Sequence, residues 1–160
     1  MKPDLAVPAG PRPAIVLDEN QIVMPPGKYR LGDPCYSVPN DRWSEWLDAT
    51  GSSLNDEDNI YALLDGWPII GFSTAYGDGS YEGSDGHSYP VDAGLIGLVP
   101  VEIADDRYSA DQGLWTVVEF TKPTLCSNTS RTPGRGWTGR TEGLMKFGDI
   151  TIDTRDEEVD

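Results

Sequence analysis

The chain has 160 residues, with 27 acidic and 12 basic side chains and a formal net charge of −15 at pH 7. This length suits one ordinary domain whose core needs no disulfide or metal support. The charge repels nucleic-acid phosphates and anionic membranes, which argues against direct binding to either and favours a partner with a basic surface.

Short β-type runs dominate the first part of the chain. Residues 1–13 contain four prolines and few apolar side chains, which predicts a flexible N-terminal arm before a β-rich domain over residues 14–154. Residues 14–17 and 21–24 are β-type runs joined by a short polar turn, and this pattern predicts a hairpin. Residues 28–31 predict a third strand after a turn at two prolines and a glycine.

One amphipathic helix is predicted next. Asn40 or Asp41 provides an N-cap, and Gly51 provides a C-terminal stop, so the helix ends at about residue 48 or 49. Apolar side chains recur there at the spacing of one helical face. The predicted apolar face consists of Trp43, Trp46 and Leu47.

A long hairpin is predicted at the centre of the sheet. Apolar β-type runs over residues 60–64 and 67–74 precede a loop rich in glycine and aspartate, and a further run covers residues 91–100. Five glycines between Gly77 and Gly94 permit backbone angles that other residues avoid. Residues 101–103 are predicted to extend the last strand.

The rest of the chain predicts two further β segments and two irregular ones. Residues 114–120 alternate and are rich in β-branched and aromatic side chains, and residues 143–152 predict a final strand pair or bent strand. Residues 127–140, with Arg131, Arg135 and Arg140, predict a mobile loop, and residues 155–160 an acidic tail. The fold class is thus α+β: a single domain with a mainly antiparallel β-sheet and one amphipathic helix.

The cysteine and histidine content predicts a cellular compartment and suggests one candidate catalytic group. Two cysteines are too few for a disulfide framework, so free thiols in a cytosolic protein are expected. The chain also lacks a run of about 18 apolar residues and a signal-peptide pattern, so no membrane association is expected. Cys35 with His87 and either Asp78 or Asp92 could form a nucleophile, base and orienting group, whereas a packed, inert Cys35 is the alternative.

Oxygen-bearing side chains between Asp78 and Asp85 partly match a calcium loop, including Gly83 at its sixth position. The twelfth position is Tyr89 rather than a bidentate glutamate, and no helices are predicted on either side. No cofactor is therefore predicted, and a divalent cation at this loop is kept as an alternative to a turn built for backbone geometry.

A ligand pocket is the other candidate site. If strand ends converge at one end of the sheet, three aspartates and three tyrosines form an acidic pocket with aromatic walls. Such a pocket suits an amine, a metal ion or a ligand with a stacked base. Its predicted residues are Asp33, Tyr36, Tyr76, Asp78, Tyr81 and Asp92.

Three motifs and a tryptophan-containing helix occur in a characteristic order. The motifs are Gly-Asp-Pro-Cys-Tyr at residues 32–36, Tyr-Gly-Asp-Gly-Ser-Tyr at residues 76–81 and Val-Asp-Ala-Gly-Leu-Ile-Gly at residues 91–97. With these motifs, residues 27–100 resemble a group of uncharacterised small proteins encoded by bacteriophages and prophages. Residues 147–154 show a weaker similarity to the same group. The resemblance implies a protein made in the cytoplasm of an infected bacterium, where small acidic proteins often act on host machinery.

Three functions follow as hypotheses. The first is a non-enzymatic accessory protein that inhibits a host or defence system, either through its acidic surface or by sequestering a nucleotide-like ligand in the predicted pocket. The second is a hydrolase or transferase that uses Asp33, Asp78 and Asp92 with a divalent ion, or Cys35 with His87. The third is a minor virion protein. The sequence leaves the partner and the oligomeric state open.

Overall fold

The structure, a computed structural model, describes residues 12–18, 20–50, 59–75, 78–129 and 143–154. These residues form one α-helix, α1 (Trp43–Thr50), and twelve β-strands. The strands are β1 (Ile15–Asp18), β2 (Gln21–Met24), β3 (Gly27–Gly32), β4 (Ile60–Leu64), β5 (Trp67–Ser73), β6 (Gly79–Glu82), β7 (Ser88–Val91), β8 (Leu95–Pro100), β9 (Trp115–Phe120), β10 (Thr124–Thr129), β11 (Leu144–Phe147) and β12 (Ile150–Asp153).

The strands form two five-stranded sheets and one small hairpin. Sheet A has the order β1-β2-β10-β11-β12, sheet B has the order β4-β5-β8-β3-β9, and β6 pairs with β7. All of these pairings are antiparallel. The predicted fold class, mainly antiparallel β with one helix, is confirmed.

The inner faces of the two sheets share one hydrophobic core. Ile22 and Phe147 of sheet A and Leu31 and Phe72 of sheet B belong to the same buried cluster. Helix α1 covers the other face of sheet B, where Trp46 is fully buried. Because β5 and β8 are covered on both faces, they are apolar along nearly their whole length, as their sequences indicate.

The helix differs from its prediction at both ends. A 3₁₀ turn (Asn40–Arg42) capped by Pro39 comes first, and α1 begins at Trp43 and continues to Thr50. The two tryptophan rings contact each other at 5.4 Å, with Trp46 buried and Trp43 half-buried, whereas Leu47 is exposed. Because α1 spans only two turns, its two large rings fill the contact with sheet B and Leu47 stays outside it.

The predicted central hairpin exists but is more elaborate than a single loop. Strands β5 and β8 pair in the middle of sheet B, and their connection contains the separate hairpin of β6 and β7. The predicted extension of the last strand over residues 101–103 is wrong, because the chain turns after Pro100, where the N–H of Ile103 donates to the Pro100 carbonyl. Pro100 itself has no N–H to continue the ladder.

The predicted mobile loop over residues 127–140 is wrong in its first three residues. Residues 127–129 belong to β10, the middle strand of sheet A, which pairs with β2 on one side and β11 on the other. Two flanking strands outweigh the weak β propensity of serine and asparagine at these positions. Residues 130–142 lie outside the described residues, as do residues 1–11 of the predicted arm and the predicted tail.

No helix among the described residues is long and apolar enough to cross a membrane.

Candidate binding site at the acidic hairpin

The Asp33 carboxylate lies where two segments distant in sequence meet. Asp33 caps a 3₁₀ turn (Pro34–Tyr36) directly after β3. Its Oδ1 accepts a hydrogen bond from the backbone N–H of Cys35 at 2.9 Å. Its Oδ2 accepts from the N–H groups of Asp92 at 2.8 Å and Ala93 at 2.7 Å. Asp33 therefore ties the end of β3 to the connection between β7 and β8.

The protonation behaviour of this junction follows from burial. Burial raises the pKa of Asp33, while the three backbone N–H groups act in the opposite direction by stabilising the carboxylate. Burial, followed by the negative charge of Asp33, also raises the pKa of the neighbouring Cys35 thiol. Because the thiolate is the reactive form of cysteine, this environment disfavours Cys35 as a nucleophile.

Three glycines lie side by side in sheet B. Gly32 pairs with Gly97, and Gly97 pairs with Gly71, so the three form a row across β3, β8 and β5. A Cβ at Gly97 would overlap the carbonyl of Ile70, and one at Gly32 would lie 2.7 Å from the carbonyl oxygen of Leu114. Backbone atoms therefore lie too close to Gly32 and Gly97 for a side chain, whereas the nearest atom to a Cβ at Gly71 would be a methyl of Leu95 at 3.2 Å.

The motifs noted in the sequence are brought together at this junction. Asp33 of the first motif binds the third motif at Asp92. Directly before the second motif, the N–H of Thr74 donates to the Gly94 carbonyl at 3.1 Å. The N–H of Ala75 donates to Thr154 Oγ1 at 3.0 Å, which brings in the weaker C-terminal motif. The first and third motifs and the segment directly before the second are distant in sequence but form one structural unit.

The region that this unit supports is the acidic hairpin, defined as residues 78–92. On one side it is fixed to β9 and the loop before it. The Tyr89 hydroxyl donates to Asp85 Oδ2 at 2.6 Å and lies 2.8 Å from Thr116 Oγ1. The His87 Nε2 lies 3.0 Å from the Gly113 carbonyl oxygen, and its ring packs edge-on against Tyr89. These contacts hold the hairpin against sheet B.

The same hairpin is also fixed to sheet A. Gly83 forms an isolated antiparallel bridge with Ile152 of β12. The N–H of Ser84 donates to the Thr151 carbonyl at 2.8 Å, and the N–H of Thr151 donates to Ser84 Oγ at 2.9 Å. The acidic hairpin is therefore held at a defined position relative to both sheets.

The outward side of the acidic hairpin is negatively charged. The 64 residues between Arg42 and Arg107 contain thirteen acidic side chains and no lysine or arginine, so the hairpin has neither of these cationic residues. A fixed group of like charges produces a local negative potential that attracts cationic surfaces. Its exposed acidic side chains are Asp78, Glu82, Asp85 and Asp92.

Most of the six residues predicted to line one pocket are placed apart. Tyr81 is only 3% exposed and belongs to the core, so it forms no wall of an open pocket. Tyr36 is half-buried and packs edge-on against Tyr108, with ring centroids 5.6 Å apart. Asp78 is exposed just before β6, and Tyr76 lies outside the described residues.

Two of the six, Asp33 and Asp92, do come together, but through the backbone N–H of Asp92 rather than its carboxylate. The Asp92 side chain is exposed, and the Asp33 carboxylate is occupied by three backbone donors. The Tyr36 hydroxyl is near this junction, and burial, followed by the charges around it, raises its pKa to about 12. The geometry is that of a structural junction, whereas the sequence predicted a ligand pocket.

The two catalytic or metal-binding alternatives are also placed differently from their predictions. Cys35 lies beside Asp33, whereas His87 lies on the acidic hairpin and contacts Tyr89 and the carbonyl of Gly113. The loop compared with a calcium site contains the extended strand β6, and both Asp85 oxygens accept hydrogen bonds within the hairpin. Within the described ranges, no group of three or more histidine, cysteine or acidic side chains is arranged to hold a metal ion.

A second buried polar cluster is centred on Asn128. The Asn128 Nδ2 donates to Asn59 Oδ1 at 2.8 Å and to the Ser73 carbonyl at 2.9 Å, while the N–H of Ser73 donates to Asn59 Oδ1 at 3.2 Å. The Asn59 Nδ2 donates to Asn20 Oδ1 at 3.0 Å. Asn128 is fully buried, and its Oδ1 has no hydrogen-bond partner among the described residues. Sequence analysis did not predict this cluster, because its members come from four separate segments with no shared motif.

The fold and the site together define a mainly antiparallel β protein that presents a fixed acidic hairpin. Comparison of the chain with protein-family models, curated proteins and solved structures found no match.

Proposed function

We propose that this chain is a non-enzymatic binding protein that presents the acidic hairpin to a basic surface on a partner protein. The observation that carries the proposal is the attachment of this hairpin to both sheets, through Tyr89 on one side and Ser84 on the other. The attachment holds exposed carboxylates in place before a partner arrives. Such preorganisation lowers the entropic cost of association.

The structural contacts of the potentially reactive side chains favour a binding function over catalysis. Asp33 is occupied by backbone donors, and the environment of Cys35 raises the pKa of its thiol. These are the side chains on which the hydrolase or transferase hypothesis depends most. The nucleotide-like ligand hypothesis has less support than the acidic surface, because Asp33 and Tyr81 are buried.

The resemblance to phage and prophage proteins supplies the proposed setting. We place the protein in the cytoplasm of an infected bacterium, where it inhibits a host or defence protein by covering a basic surface. Such a surface commonly binds nucleic acid, and an acidic protein can occupy it by charge complementarity.

The test compares two sets of charge-neutralising substitutions. The hairpin variant combines Asp78→Asn, Glu82→Gln and Asp92→Asn. The control variant combines Asp41→Asn, Asp48→Asn and Asp111→Asn, which are also exposed and change the net charge by the same amount. Proteins cross-linked to the tagged wild-type chain in expressing bacteria are identified by mass spectrometry, and their binding is then measured with purified components.

We expect the hairpin variant to associate at least tenfold more slowly than the control variant, with wild-type binding that weakens steeply as salt rises. Equal loss in both variants would mean that net charge, not the hairpin, drives binding. Binding that is insensitive to salt would contradict the proposal. Native mass spectrometry of the purified chain tests the alternative, since a nucleotide-sized mass lost on denaturation would favour a small ligand.

A further inference from the structure

The two sheets leave an open seam beside the acidic hairpin. Strand β9 is one edge of sheet B, and β12 is one edge of sheet A. The hairpin closes part of this side by contacting Thr116 on β9 and Ile152 on β12. Two residues further along each edge, Val118 and Ile150 line a groove instead. The groove therefore begins about 7 Å from the hairpin contacts, at the rise of an extended strand.

The groove has an apolar floor and a polar rim. Its volume is about 320 Å³, at the lower end of the range of about 300–1,000 Å³ that is usual for binding pockets. Phe120 and Phe147 form the floor of the groove, and both rings also belong to the hydrophobic core shared by the two sheets. The exposed rim residues Glu119, Lys122 and Asp149 carry two negative charges and one positive charge.

The backbone beside the groove is suited to an additional strand. Among the described strands, β9 pairs only with β3, and β12 pairs only with β11 apart from the bridge to Gly83. The outer main-chain groups of β9 over Val118–Phe120 are thus available to a polypeptide. Partner strands bind sheet edges in this way, with main-chain hydrogen bonds supplying affinity and side-chain pockets supplying specificity.

We propose that this seam groove binds an extended segment of a partner polypeptide, which pairs with β9, inserts an apolar side chain between the sheets and places a basic residue near Glu119 and Asp149. The charge of the rim, which is net negative, and its position next to the acidic hairpin both favour a basic segment over an acidic one. The inference rests on the proposed function in one respect, since the segment is assigned to the same basic partner.

A defined peptide tests the groove separately from the hairpin. The probe is a nine-residue peptide in which valine and threonine alternate around a central phenylalanine, with a lysine at each end. One control peptide has glutamate at each end, and a second has proline on both sides of the phenylalanine, which prevents strand pairing. Each is titrated to 1 mM into the ¹⁵N-labelled full chain while backbone amide chemical shifts are recorded.

We expect the lysine peptide to shift the amides of residues 118–122, 124 and 147–150, and the proline peptide to bind at least tenfold more weakly. Val118→Trp fills the groove and should weaken binding at least tenfold, whereas Val117→Trp, on the exposed opposite face of the same strand, should not. Asp149→Lys leaves the core untouched and should reverse the preference, so that the glutamate peptide binds more tightly than the lysine peptide.

Four outcomes would overturn the inference. They are no binding at 1 mM, shifts confined to other residues, equal affinity for the lysine and glutamate peptides, and groove shifts that depend on protein concentration without peptide. The last would assign the groove to a second copy of the chain. Binding of this peptide does not involve Asp78, Glu82 or Asp92, so failure here leaves the charge-neutralisation test of the hairpin standing, and failure of that test leaves this one standing.

Discussion

Asp33 and Asn128 are both buried polar side chains that join strands from separate parts of the chain, yet they are satisfied to different degrees. Asp33 carries a charge, and its two oxygens accept three backbone hydrogen bonds. Asn128 is neutral, and within the described part of the chain its Oδ1 has no hydrogen-bond partner, although both hydrogens of its amide group are used. Asp33, whose charge costs more to bury, thus has the more complete set of hydrogen bonds, as expected from the large penalty for an unpaired buried charge.

The orientation of each side chain is fixed by its backbone partners. Ser73 offers an N–H to Asn59 and a carbonyl to Asn128, so the Asn128 amide must present Nδ2 to this side. At Asp33 all three partners are donors, so only a carboxylate satisfies them with both oxygens. Exchanging aspartate and asparagine, which have nearly the same shape, therefore tests hydrogen-bond polarity without changing packing.

The largest effect is expected from Asn128→Asp. The new carboxylate would face the Ser73 carbonyl and Asn59 Oδ1, two acceptors, without a positive partner among the contacts of Asn128. We expect a loss of about 3–5 kcal/mol in the free energy of unfolding at pH 7, the usual cost of an uncompensated buried charge. Denaturation in urea measures it, and the loss should shrink as pH falls from neutrality toward about 4, because burial raises the pKa of the new carboxyl and its protonation restores a donor.

Asn128→Ser serves as the control, because it shortens the side chain without adding a charge. If the control were as destabilising as Asn128→Asp, lost packing rather than charge would explain the effect.

Asp33→Asn is expected to have a smaller effect, a loss of about 2–3 kcal/mol in the free energy of unfolding. One amide nitrogen would replace an oxygen and face a backbone donor, so at least one buried N–H among Cys35, Asp92 and Ala93 would lose its acceptor. The matched control is Asp92→Asn, because that side chain is exposed and only its backbone contacts Asp33. Equal unfolding midpoints for Asp33→Asn and wild type would show that the junction contributes nothing to stability.

The two clusters also show what the sequence could predict. Gly32, Asp33 and Pro34 form a local motif whose turn chemistry is readable, and apolar runs such as Trp67–Ser73 and Leu95–Pro100 correctly predicted central strands. The sequence identified Asp33 as special but gave its role as ligand binding, because the donors on Asp92 and Ala93 come from a segment about 60 residues away. The contacts that decide between a structural carboxylate and a binding carboxylate are nonlocal.

Strand β10 was missed for the same physical reason. Its serine, asparagine and threonine residues have the composition of a loop, and only pairing with β2 and β11 makes them a central strand. The seam groove was unpredictable because it depends on where two sheet edges, β9 and β12, lie in space. Sequence patterns predict which residues face a core, but not which strands end as neighbours across it.

A smaller effect is expected at alkaline pH, from the buried thiol of Cys126. Burial raises the pKa of the Cys126 thiol from 9.0 to about 12, so the folded state disfavours the thiolate. The contribution of this neutral, buried thiol to the free energy of unfolding is fully present below about pH 9. It is lost as pH rises from there toward 12. Each pH unit above 9 should cost about 1.4 kcal/mol through this group. Unfolding free energies measured at pH 8, 9 and 10 should fall more steeply in wild type than in Cys126→Ala, and equal slopes would contradict this account.

The smallest effect concerns Cys35, which reports on the charge state of the Asp33 junction. Burial and the Asp33 carboxylate raise the pKa of the Cys35 thiol, so Asp33→Asn should lower this pKa by removing the charge. We expect Cys35 in this variant to react with iodoacetamide several-fold faster at pH 8, measured by mass spectrometry of its peptide. Cys126, which is fully buried, is the internal control in the same sample. If both cysteines accelerate equally, global unfolding rather than the lost charge exposes them, and the electrostatic coupling between Asp33 and Cys35 is then too weak to control the thiol.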